Sequence, residues 1–249
     1  MILEIQQLNF SFSPEKTIFQ KLSLRLQQGE IYALMGANGS GKTTLFNLIT
    51  GFHQPQSGMI MFQGRDITQL PSYKINRRGV CRTFQDLRLD SKLNVKENLL
   101  LAMSGNPTDN WLNALLPSSL FKKTLQQLEK RAEQIIADYF LHDVQHAMAH
   151  EISFGQQKLL NLACSVANGA ELLLLDEPVA GISPQYREQI SYLVHGLKKQ
   201  GKTVLMIEHN TDFIAATADR FLFLANGNLS EFANFEQLQT SPEAADAYF

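Results

Sequence analysis

The chain is poor in the features that mark specialised classes. Its 249 residues include two cysteines, Cys81 and Cys164, too far apart for metal-ligand or redox spacing, so they are expected to be reduced thiols in a reducing compartment. Charge of one sign is also missing. The 22 Lys and Arg residues against 24 Asp and Glu leave a net charge of -2. Basic residues come in isolated pairs such as Arg77-Arg78 and never in a longer block, so no nucleic-acid partner is expected. No apolar run approaches the ~18 residues of a membrane span. Residues Met1 to Phe12 contain Glu4 and alternate, so no secretory leader is expected either. Internal repeats and low-complexity tracts are absent. What remains is an ordinary globular composition, 44% hydrophobic, suited to one large α/β domain or to one domain with an insertion.

The most informative stretch is Gly36-Ala37-Asn38-Gly39-Ser40-Gly41-Lys42-Thr43. It fits G-x-x-x-x-G-K-[ST], lies after the apolar run Ile31–Met35 and precedes Thr44 to Thr50, whose apolar residues have helical spacing. Strand, glycine loop and helix form the setting of a phosphate cradle. Backbone N–H groups of the loop converge on a polyphosphate at a helix N-terminus, where the dipole also favours anions. Lys42 is expected to reach the β- and γ-phosphates and the Thr43 hydroxyl to ligate Mg²⁺. Gly36, Asn38, Gly39, Ser40, Gly41 and Thr44 complete the nucleotide site.

Around this loop, Ile2 to Leu8 and Leu22 to Leu26 alternate as half-buried strands do, with Asn9 to Phe12 between them. Gly58 to Gly64 reads as a further strand, Pro71 to Arg77 as a short helix, and Gly79 to Phe84 as a strand delivering Gln85. From about Asp86 to Glu151 the pattern is helical, with candidates at Val95 to Met103 and Leu120 to Phe140 flanking a loop-rich stretch around Trp111. Buried strands return at Leu172 to Leu175, Thr203 to Ile207 and Phe221 to Leu224, and Pro184 to Gln200 reads as a helix. Such runs separated by helices imply a parallel sheet covered on both faces. Asp176-Glu177 ends one of these strands, where open α/β sheets place ligands. Asp176 is expected to hold Mg²⁺, and Glu177 to polarise a water for attack on the γ-phosphate.

About 20 residues earlier, Ser153 caps a helix with apolar positions Leu159, Leu160, Ala163 and Val166. With this motif in place the chain resembles the ATP-binding subunits of ATP-binding-cassette (ABC) transporters along essentially its whole length. Ile152 to Gln156 matches the signature Leu-Ser-Gly-Gly-Gln, with Ile for Leu and Phe154 for the first Gly. The resemblance implies a P-loop ATPase core with a mainly parallel sheet, an N-terminal antiparallel β subdomain and an inserted helical subdomain. A single cassette spans 1–249, with the core at about 1–85 and 160–249 and the insertion at about 86–159. It implies that Ser153, Gly155 and Gln156 close over the ATP of a second, identical or homologous, ATP-binding subunit. Gln85 corresponds to the glutamine that senses Mg²⁺ and the attacking water, His209 to the switch histidine, and Phe12, or else Phe10, to the aromatic that stacks on adenine. One position departs: Ser183 stands where the family usually has Asp, and Ser183-Pro184 also suits a helix start.

Phe154, Gly181, Arg82 to Gln85, the insertion around Trp111 and the tail Ser241 to Phe249 resemble importers of branched-chain amino acids, urea or short amides. Exporter ATPases of the lipopolysaccharide type share the length and tail but lack so long an insertion. Non-transport ABC ATPases usually carry coiled-coil insertions or two cassettes. The resemblance therefore implies a soluble ATPase working with ATP and Mg²⁺, peripheral on the cytoplasmic face of the cell membrane. Its further partners would be integral permease subunits and, indirectly, a substrate-binding protein.

Overall fold

The computed structural model describes residues 1–83, 89–103, 118–242 and 244. A six-stranded sheet runs in the order β10-β9-β3-β8-β7-β6. Its strands are β3 (Ile31–Met35), β6 (Val80–Arg82), β7 (Leu172–Asp176), β8 (Thr203–Ile207), β9 (Arg220–Ala225) and β10 (Asn228–Phe232). All but β10 are parallel to their neighbours. A second, antiparallel sheet has the order β2-β1-β4-β5, formed by β1 (Leu3–Ser13), β2 (Lys16–Leu26), β4 (Ser57–Phe62) and β5 (Arg65–Asp66).

Strand periodicity explains how the layers are held. Ile31, Ala33 and Met35 of β3, Leu173 and Leu175 of β7, and Val204 and Met206 of β8 enter one buried cluster. The alternate residues Tyr32, Leu34, Leu172, Leu174, Leu205 and Ile207 enter another. The first cluster packs against α3 (Val95–Ala102), α4 (Ser118–Asp138), α5 (Phe154–Ala167), α6 (Pro184–Lys199) and α7 (Thr211–Thr217). The second packs against α1 (Lys42–Ile49), α2 (Ser72–Arg77) and the antiparallel sheet. A strand buried on both faces has no polar position to spare, hence the continuous apolar runs. The expected α/β architecture is therefore present, and the remaining helix, α8 (Phe235–Gln239), packs beside β9 and β10.

Among the segments that differ from the sequence expectation, two have a clear local cause. Asn9 to Phe12 is not a connection but part of β1, which pairs with β2 as far as Ser13 and Lys16. Register shifts on either side of Leu8, together with Gln7 at φ 46, interrupt the alternation that would have revealed one long strand. The hairpin β9–β10 was not anticipated. Its turn residues Asn226 and Gly227 both take positive φ, 49 and 75, the backbone that Asn-Gly turns favour. Gln85, Trp111 and most of the tail lie outside the described residues.

Candidate active site

Parallel β3, β6, β7 and β8 end at the same edge of the sheet, so the loops that follow them meet there. After β3 the glycine loop turns into α1. Gly36, Gly39 and Gly41 adopt φ values of 147, 82 and 108, which side chains resist. A Cβ on Gly36 would lie 2.3 Å from the Leu224 carbonyl oxygen, and one on Gly41 would lie 2.9 Å from Ile18 Cγ2. Lys42 Nζ donates to the Gly36 and Ala37 carbonyl oxygens at 2.6 and 3.0 Å. Burial holds its ammonium below the ordinary lysine range, and Glu177 and Asp176 draw it part of the way back. Ser40 Oγ is buried without a hydrogen-bond partner among the described residues.

A cleft of about 290 Å³ opens over this loop. Phe12, Asn38, Gly39, Gly41, Lys42, Thr43, Thr44, Asp176, Glu177 and His209 line it, together with Lys16 and Ile18. Phe12 is 53% exposed and Phe10 7%, so of the two candidate aromatics Phe12 presents a ring to the cleft. Lys16 lies over that ring, 5.9 Å from its centre. Glu177 follows Asp176 with φ 49, a left-handed conformation that costs a non-glycine residue of order 1 kcal/mol or more. His209 Nε2 stands 3.8 Å from Glu177 Oε1.

Several residues that hold this arrangement were assigned no role from sequence. Arg82 donates to Asp176 Oδ2 at 2.7 Å and to Asn47 Oδ1 on α1 at 2.6 Å. Its guanidinium covers the Phe46 ring at 5.3 Å. The Arg82 and Asp176 side chains are only 6% and 7% exposed. Glu208 is buried and accepts from the Val179, His209 and Asn210 N–H groups. It therefore ties the loop after Glu177 to the His209 loop. Lys158 on α5 donates to the Glu177 carbonyl oxygen at 2.8 Å.

Ser153, Gly155 and Gln156 do not line the cleft. They form the start of α5, a capping box in which Gln156 N–H donates to Ser153 Oγ and Ser153 N–H to Gln156 Oε1. Ser153 Oγ also lies 3.1 Å from the Tyr186 hydroxyl. Gly155 is required by packing, because a Cβ there would sit 2.2 Å from the Tyr186 ring. Ser183 does stand at the N-cap of α6 with Pro184 behind it, but its side chain makes no capping bond.

The donor chemistry fits a magnesium-bound polyphosphate. Positive-φ glycines and Lys42 suit an anion, and Thr43 and Asp176 could offer a cation two oxygen ligands. No group of three or more His, Cys, Asp or Glu among the described residues could cage a metal alone. A cation there would take its remaining ligands from phosphate and water, as Mg²⁺ does. Fold and site together define a P-loop nucleoside triphosphatase.

Comparison with known proteins narrows the class. The family model "ABC transporter" matches residues 19–180. The branched-chain amino acid transport ATP-binding protein BraF of Pseudomonas aeruginosa is 31% identical, covering 99% of this chain and 97% of the relative. LivG of Escherichia coli strain K12 is 32% identical, covering 91% and 89%. Among solved structures, a nucleotide-free ATP-binding cassette from an ABC transporter matches with TM-score 0.84 and 30% identity, over 100% of this chain and 98% of that one. The ADP conformation of an ABC cassette matches with TM-score 0.83 and 28% identity, over 99% and 98%. The chain belongs to the ABC transporter family, as an ATP-binding, ATP-hydrolysing subunit. Among the described residues no helix is long and apolar enough to cross a membrane.

Proposed function

We propose that this chain hydrolyses ATP to power import of branched-chain amino acids through a membrane permease. The observation that carries the reading is its end-to-end similarity to BraF. Import of urea or short amides is the related alternative.

In the proposed reaction Phe12 stacks on the adenine, and the loop Gly36 to Thr44 and Lys42 bind and neutralise the phosphates. Thr43 and Asp176 hold Mg²⁺, with Gln85 completing that set from outside the described residues. When bound, Mg²⁺ withdraws charge from the β- and γ-phosphates. The Glu177 carboxylate accepts a proton from the attacking water, and His209, beside it, contacts the γ-phosphate. Ser153, Gly155 and Gln156 serve the nucleotide of a second ATP-binding subunit. Capping that site between two chains excludes water, which strengthens the fixed dipoles around the developing charge. This assigns the core to about 1–85 and 160–249 and the insertion to about 86–159. The working place is the cytoplasmic face of the cell membrane, against permease subunits and, through them, a substrate-binding protein.

Reconstitution of the purified transporter in liposomes tests the reading. ATP-driven uptake of labelled leucine or isoleucine is expected. ATP-driven export alone, or uptake of neither amino acids nor amides, would refute it.

A further inference from the structure

Lys158 is a buried cation without an obvious reason to be where it is. It lies in the second turn of α5, 6% exposed, near a helix end whose dipole disfavours positive charge. Desolvation depresses its charged form, and Glu208, Glu177 and Asp176 offset that cost. Two of these acids are engaged elsewhere, Asp176 with Arg82 and Glu208 with the N–H groups of Val179, His209 and Asn210. The Lys158 ammonium donates instead to the main-chain oxygen of Glu177, at 2.8 Å. Glu177 is a non-glycine site residue with a left-handed backbone, a conformation that persists only where its surroundings enforce it.

The same place accounts for two features of the sequence. The Phe154 ring, where the signature usually has Gly, covers the ammonium at 5.5 Å. Gly181, two residues before Ser183, leaves room for that ring, since a Cβ there would lie 3.3 Å from Phe154 Cε1. Phe154, Lys158, Glu177 and Gly181 thus form one contact between the signature helix and the loop that carries the hydrolytic carboxylate.

We propose that Lys158 is a positioning residue for hydrolysis: from the signature helix it fixes the Glu177 backbone, so the carboxylate is aimed only when α5 is seated. The proposal rests on Glu177 acting as general base. Its effect belongs to the chemical step, because Lys158 does not line the nucleotide cleft.

Steady-state ATPase rates and fluorescent-nucleotide titrations of Lys158→Met, Lys158→Arg and Glu177→Gln test it on the full-length protein with its partners. Misplacing a reacting group by about 1 Å costs on the order of 10²-fold. Lys158→Met should therefore lose roughly 10- to 100-fold in kcat. Nucleotide affinity should stay within about twofold, since uniform binding is untouched. Lys158→Arg should recover most of the rate, because a guanidinium can reach the same carbonyl. Adding Lys158→Met to Glu177→Gln should cost little more, since both act through one group. If Lys158→Met does not fold, Lys158→Gln, polar but too short to reach the carbonyl, takes its place with the same expectation. A dead Glu177→Gln beside a Lys158→Met with wild-type kcat would overturn this proposal alone. Full turnover by Glu177→Gln would overturn the base assignment and the proposal with it. Equal losses of kcat and affinity in Lys158→Met, unrelieved by Arg, would mean a structural role and overturn it too.

Discussion

Replacing Arg82 with Met would leave the Asp176 carboxylate buried and without the guanidinium now 2.7 Å away. Arg82 also bonds Asn47 and covers the Phe46 ring, so the methionine keeps some packing but none of the charge or hydrogen bonding. Breaking a buried pair by removing one partner costs about 3–5 kcal/mol, because the remaining charge stays desolvated. At about 2–4 °C per kcal/mol for a chain of this size, Tm should fall by roughly 6–20 °C. Urea unfolding without nucleotide, followed by circular dichroism, should show a lower midpoint with the slope preserved. The double variant Arg82→Met/Asp176→Asn removes the stranded charge as well. It should lose less than the sum of the single losses, by about 1 kcal/mol or more. A loss below about 1 kcal/mol for Arg82→Met, typical of exposed pairs, would refute the claim that this pair is buried and structurally required.

Further outcomes follow from the site and the core. Lys42→Ala deletes a charged donor to phosphate worth about 1.5–3 kcal/mol, so ATP affinity should fall roughly 10- to 150-fold by titration, with turnover falling too. Phe12→Ala should weaken ATP binding by roughly 2- to 12-fold through lost stacking. Phe10→Ala, by contrast, should mainly destabilise the fold by about 3–5 kcal/mol; the reverse pattern would exchange the two assignments. Burial pushes the Cys164 thiol up to about 12 and raises that of Cys81 as well. Alkylation by iodoacetamide at pH 8 should therefore be slow in the folded protein and fast in urea.

The sequence made local features legible and hid those that depend on apposition. The glycine loop is readable because its spacing and flanking elements lie within one short stretch. Asp176-Glu177 is readable because it ends an unmistakable buried run, and the two-cluster core follows from strand periodicity. β1 was cut short because bulges near Leu8 break the alternation on which a strand is recognised. The β9–β10 hairpin was missed although Asn226-Gly227 is a strong turn signal. Arg82 lies 94 residues from Asp176, and nothing local distinguishes it from a solvated arginine at a strand end. Lys158 sits among apolar helix positions, where lysine reads as an exposed face. Only the seating of α5 against the loop after β7 reveals its partner.

The central claim is that Glu177, held at the carboxyl edge of the sheet, is the group that activates water for ATP hydrolysis. Single-turnover hydrolysis by Glu177→Gln, with ATP affinity measured on the same sample, tests it most directly. General-base catalysis is worth about 10²–10⁴-fold, so the chemical step should slow by that factor while affinity stays near wild type. Hydrolysis at the wild-type rate by that variant would contradict the account.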